Sequence, residues 1–121
     1  MILLDTNILI EILKGNPATQ NKIQSFNQSI AISSISAMEL YYGARDKAES
    51  RKLEKFIALF KIIHLNEAIS MRSIALIKAY AKSHGLDIPD SLIASTALVS
   101  GYKIHTYNLK DFKYIDGLVL I

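Results

Sequence analysis

Ile2-Leu3-Leu4-Asp5-Thr6-Asn7 is the stretch on which the fold turns. Three consecutive apolar residues without alternation suit a strand buried on both faces of a parallel sheet, and the run stops at three polar residues. Ile8, Leu9, Ile12 and Leu13 then recur at one-face helical spacing, and Gly15-Asn16-Pro17 closes that helix. The alternation continues. A weaker helix over Ala18 to Asn27 leads to a second apolar run at Ile30-Ala31-Ile32, and a helix opens in Ser33 to Ser36 and ends near Gly43. Leu53, Phe56, Ile57 and Phe60 fall at i, i+3, i+4 and i+7 in a helix over Glu49 to Phe60. Ile62 to Leu65 reads as a third strand, and Asn66 caps a helix that reaches about Ser83 and stops at Gly85. Another helix starts near Pro89 and ends at Gly101, before a fourth strand at Lys103 to Tyr107 and a short fifth at Leu118 to Ile121. This order predicts one α/β domain over residues 1–121: a three-layer α/β/α sandwich around a central, mostly parallel sheet of about five strands.

Composition narrows the chemistry. The chain has 121 residues, half of them hydrophobic, and no cysteine, so thiolate zinc sites, iron–sulfur clusters, disulfide scaffolds and cysteine nucleophiles are excluded together. Fourteen Lys and Arg against eleven Asp and Glu leave a formal charge of +3, which permits a polyanionic partner without requiring one. Asp5 and Glu11 interrupt the apolar start, no basic segment precedes it, and no apolar stretch is long enough to span a bilayer. A soluble, cytoplasmic protein is expected.

The carboxylates carry the functional signal. Asp5 directly follows the first strand, and Glu39 lies in the first turn of the helix after the second. Asp90 opens the helix before the fourth strand, and Asp111 lies beyond that strand's carboxyl end. The carboxyl ends of parallel strands share one edge, so four acids remote in sequence can meet at one rim. Each also has a local explanation. Ser36-Ala37-Met38-Glu39 fits a capping box, and Asp5, Asp87, Asp90 and Asn108 to Asp111 suit helix starts. Capping, however, does not require the four helix ends to converge. A cluster of carboxylates would attract hard divalent ions such as Mg²⁺ or Mn²⁺, which serve phosphodiester hydrolysis without help from His or Cys.

Leu4-Asp5-Thr6-Asn7, Glu39-Leu40-Tyr41-Tyr42-Gly43, Asp90-Ser91-Leu92-Ile93-Ala94 and Thr106-Tyr107-Asn108-Leu109-Lys110-Asp111-Phe112 resemble, in order, the motifs of PIN-domain ribonucleases. The VapC-type toxins of VapBC toxin–antitoxin modules are the nearest in pattern, and the resemblance runs from Leu3 to Leu118. It implies an Mg²⁺- or Mn²⁺-dependent endoribonuclease. Asp5, Glu39, Asp90 and Asp111 would form the metal-binding pocket, with Asp111 acting directly or through a neighbour, and Thr6 and Asn108 would be polar residues beside it. Asn108 would position the attacking water or hold a carboxylate, and Asp87 would cap the helix carrying Asp90. The implied partners are an RNA substrate, a second copy of the chain, and a cognate VapB-type antitoxin covering the acidic groove.

Other features are read more plainly. Arg45 to Lys61 holds six of the fourteen basic residues, a solvated helix face with an Arg45/Glu49 pair or a guide for RNA phosphates. Lys110 and Lys113 flank Asp111. His64, His84 and His105 lack the spacing of a metal motif and are expected to be structural. A dehalogenase-like phosphatase would need a second Asp at position 7, where Asn7 stands, and a receiver domain would need adjacent acids after the first strand. The alternative left open is a catalytically silent PIN-like module that binds RNA or protein without cutting.

Overall fold

The computed structural model describes every residue from Met1 to Ile121. Strands β1 (Ile2–Leu4), β2 (Ile30–Ser33), β3 (Lys61–Ile63) and β4 (Lys103–His105) form one parallel sheet in the order β3-β2-β1-β4. Helices α1 (Thr6–Leu13), α2 (Pro17–Gln24), α3 (Ser34–Tyr42), α4 (Lys47–Ile57), α5 (Glu67–His84) and α6 (Ile88–Ser100) connect the strands, and a 3₁₀ turn at Leu109–Asp111 follows β4.

Side chains alternate across each strand, so the continuous apolar runs feed two cores at once. Leu3, Ala31 and Ile104 lie side by side in the register and face Leu76, Leu86, Ile93, Ala94, Ala97 and Phe112 of α5, α6 and the segments around them. Ile2, Leu4 and Ile32 face the other way, onto Ile8, Leu9, Ala37, Leu40, Leu53 and Ile57 of α1, α3 and α4. Helices thus cover both faces, as the alternation of elements predicts.

The sheet has four strands rather than five. Beyond Gly117, only Leu120 pairs with Ile104, in an isolated parallel bridge held by Ile104 N to Val119 O and Ile121 N to Ile104 O, both 2.9 Å. One bridge without consecutive pairings is not a strand. Helix ends move by a few residues for local reasons. Asp46 Oδ1 accepts Glu49 N at 2.8 Å and starts α4 at Lys47, while α2 ends at Gln24 rather than Asn27. Asn66 Oδ1 accepts Ile69 N at 2.9 Å and caps α5, and Gly85 closes that helix at φ 71°. Both agree with the sequence reading.

The topology positions the site. From β1 the chain moves outward to β2 and β3, then returns to β4 on the other side of β1. The crevice at the carboxyl ends of β1 and β4 is therefore the switch point, where open parallel sheets bind ligands.

Candidate active site

Asp5 sits at this switch point and is buried, 5% exposed. Its Oδ1 accepts the backbone N–H of Thr6, and its Oδ2 accepts the hydroxyl of Thr106 from the end of β4, both at 2.8 Å. The parallel register that pairs Leu4 with His105 brings these next residues together. Burial raises the Asp5 pKa. The bonds from Thr106 and Thr6 oppose that rise, and the charges of Asp111 and Asp87 add to it.

Thr106 is a hub. Besides donating to Asp5, its Oγ1 accepts Asn108 N at 2.9 Å and lies 3.4 Å from Asn7 Nδ2. Asn7 Oδ1 in turn accepts Tyr107 N at 3.3 Å. The loop after β4 is thereby tied to the loop after β1. The Asn108 side chain makes no cap hydrogen bond, so its backbone rather than its amide serves the network.

Glu39 is held by Thr6, whose Oγ1 lies 2.8 Å from both Glu39 Oε1 and Ser36 Oγ. A hydroxyl has one proton and an ionised carboxylate can only accept, so Thr6 donates to Glu39 while Ser36 supplies the other bond. This overturns the capping-box expectation. Ser33, not Ser36, is the N-cap of α3, accepting Ile35 N at 3.1 Å. Helix α3 begins three residues earlier than the box requires, which turns Ser36 and Glu39 toward Thr6.

Asp90 lies in the first turn of α6, where Asp87 is the N-cap and accepts Asp90 N at 2.8 Å. Asp87 thus has the capping role expected for it. Its charge nevertheless bears on the site. The Asp90 carboxyl is pushed up to about 7, first by burial and then by Asp87, Asp5, Asp111 and Glu39 in turn. All four candidate carboxylates, with Asp87, therefore share one electrostatic neighbourhood. Asp111 enters it from the 3₁₀ turn after β4. No three Asp, Glu or His side chains converge tightly enough to grip one ion directly. The donor set still suits a hard cation, because Mg²⁺ keeps several waters and commonly meets only one or two carboxylates.

Thr106 and Ser36 are the supporting residues that sequence reasoning missed. Thr106 was within reach, since a register pairing the first and fourth strands sets it beside Asp5. Ser36 was obscured by the local S-x-x-E pattern. His105 is buried as a structural histidine, with Nε2 unpartnered and Phe26 edge-on at 5.2 Å. Burial is the main cause of its lowered pKa.

A parallel sheet whose switch point gathers carboxylates from four separate segments defines an acidic, all-oxygen site of the kind used on phosphodiesters. Residues 2–118 match the model of the PIN domain, and the chain belongs to that family. Ribonuclease VapC10 of Mycobacterium tuberculosis is 33% identical, covering 98% of this chain and 90% of its own length. The tRNA(fMet)-specific endonuclease VapC of Shigella flexneri is 32% identical over 96% of this chain and 92% of its own. The crystal structure of VapBC2 from Rickettsia felis, bound to a DNA fragment from its promoter, is similar at a TM-score of 0.85 and 33% identity, covering 100% of this chain and 98% of that one.

Proposed function

We propose that the chain, acting as one PIN-like unit over residues 1–121, is an Mg²⁺- or Mn²⁺-dependent endoribonuclease and the toxin of a VapBC-type toxin–antitoxin pair. The observation that carries this reading is geometric: at the switch point Thr106 and Thr6 hold Asp5 while the same Thr6 holds Glu39, and Asp90, raised first by burial and then by Asp87, Asp5, Asp111 and Glu39, stands beside them. Asp5, Glu39 and Asp90 would hold the cation directly or through water, with Asp111 completing the charge. Such a cation supplies a Lewis acid for the phosphoryl group and makes a water acidic enough to attack. The chain's own contribution is orientation. Thr106 and the Thr6 N–H fix both Asp5 oxygens, Thr6 fixes Glu39, and the Asn108 backbone anchors the loop that bears Asp111.

The test compares RNA cleavage by wild type and Asp5→Asn with Mg²⁺ or Mn²⁺ present. The expected result is cleavage by wild type only, abolished by EDTA. Equal activity in the two proteins, or activity that survives EDTA, sinks the mechanism, whereas a wild type that binds RNA and does not cut it favours the silent-module alternative.

The solved relatives include toxin–antitoxin complexes, and a VapB-type antitoxin is proposed here on that likeness. It would cover the apolar ground beside Glu39, where a cavity of about 390 Å³ is bordered by Met38 and Tyr42, 56% and 93% exposed. A homodimer is proposed as well, with exposed Ile74 and Ile88 giving α5 and α6 an apolar face. No helix is long and apolar enough to cross a membrane, and the proposed place of action is the cytoplasm.

A further inference from the structure

An ordered aromatic stack stands beside the acidic site and takes no part in holding its carboxylates. At the end of α5, His84 lies on Tyr114 with ring centroids 4.1 Å apart and planes within 16° of parallel. Tyr80 meets both rings, at 5.8 Å from His84 and 5.2 Å from Tyr114. Tyr80 Oη accepts Asp116 N at 3.2 Å, and Ser83 Oγ lies 2.7 Å from His84 Nδ1. The two tyrosines are half-buried against the core, whereas His84 is exposed. The imidazole is therefore the outer plate of the stack. Tyr114 covers one face and Ser83 and Tyr80 flank the ring, while the residue as a whole is exposed.

The stack adjoins the carboxylates along the chain: Tyr114 follows Asp111 by three residues, and His84 precedes by three Asp87, which caps the helix bearing Asp90. Burial is the main cause of a raised Tyr114 pKa, and the charges of Asp90, Asp111 and Asp87 add to it. Lys82 and Lys113, neighbours of the two stacked residues in the chain, are exposed. Neither takes part in an ion pair, since the pairs present are Lys14–Glu11 and Arg45–Glu49.

A flat ring held in place needs little further ordering to receive another flat ring, and stacking on it tolerates any base. Free cations on the two segments that carry the plate suit the phosphates of the strand whose base it receives. A paired duplex keeps its base faces occupied, so only an unpaired nucleotide can use such a plate. We propose that His84, backed by Tyr114, is a base-stacking subsite for the nucleotide next to the scissile phosphate of single-stranded RNA, with Lys82 and Lys113 taking the flanking phosphates. This rests on the ribonuclease reading and adds to it how the substrate is seated.

The probe is a single-stranded RNA carrying 2-aminopurine, titrated against Asp5→Asn alone and with His84→Ala or His84→Phe. His84→Ala should weaken binding about five- to tenfold, the lower range for one lost stack, and abolish the fluorescence quench. His84→Phe should keep both. In cleavage by the otherwise wild-type protein, His84→Ala should raise KM by a similar factor and leave kcat nearly unchanged. Unchanged binding and quench in His84→Ala, or equal losses in Ala and Phe, overturn the subsite. Wild-type cleavage that is indifferent to His84→Ala condemns the subsite alone. A wild type that cleaves no RNA removes the ribonuclease reading and the subsite with it.

Discussion

Thr6 shows how one hydroxyl can hold a site together, because it joins the start of α1 to Glu39 and Ser36 on α3. Thr6→Val keeps the shape and removes the bond, so activity should fall about 10- to 100-fold, the usual effect of losing a partner that orients a ligand. Thr6→Ser should retain most of it in the same steady-state assay. Asp90 gives a prediction in pH. Its folded carboxyl stands at about 7 against an ordinary 3.8, so between those values the folded chain holds a proton that the unfolded chain has released. Stability of the cation-free protein should therefore fall as pH rises from about 4 to about 7. Asp90→Asn should lose that slope and be the more stable form at neutral pH, as read by urea melts in EDTA on both sides of the window. The same proton competes with a cation, so calorimetric Mg²⁺ affinity should climb with pH through about 7.

At the scale of elements, the helix ends separate what is local from what is not. Gly85 adopts φ 71°, and a Cβ added there would meet nothing within 4 Å. Gly85→Ala should then destabilise by about 1 kcal/mol through backbone strain alone, measurable as a shift in urea midpoint with an unchanged m-value. Gly85 and the Asn66 cap were legible because their chemistry lies within a few residues. The capping box on α3 was misleading for the same reason. Ser36 and Glu39 satisfy the local pattern, yet Ser33 caps the helix. Ser33→Ala should cost about 1 kcal/mol of stability. Ser36→Ala should show its main effect on cleavage instead, and the two assays side by side distinguish these outcomes.

For the molecule as a whole, charge and burial act in opposition. With Asp5, Glu39, Asp90 and Asp111 set aside, fourteen basic residues face seven acidic ones, so the modest +3 is a basic body around an acidic hole. On the proposed reading a basic body would favour approach to RNA, and the hole would repel phosphate until a cation entered it. His105 tilts stability the opposite way from Asp90. Its folded pKa lies below the ordinary 6.5, chiefly because it is buried, with Ile121 O partly offsetting that effect and Lys22 adding to it. As pH falls through 6.5 the unfolded chain gains a proton that the folded chain resists, so the stability present at higher pH is lost in acid. His105→Phe should flatten that acid limb in urea melts, while Asp90→Asn should steepen it by removing the opposing slope.

The sequence by itself determined the order of elements, the parallel sheet and the four acids at its carboxyl rim. Apolar runs, caps and turn residues act over a few positions, and parallel strands need only a common direction to place their ends together. Tertiary structure alone decided which groups hold those acids. Thr106 meets Asp5 across 101 positions, Thr6 meets Glu39 across 33, and His84 lies on Tyr114 from another part of the chain. Such contacts depend on strand register and on the rotation of each helix about its axis. Both are set by how the two cores pack against the sheet, and no periodicity in a single chain encodes them.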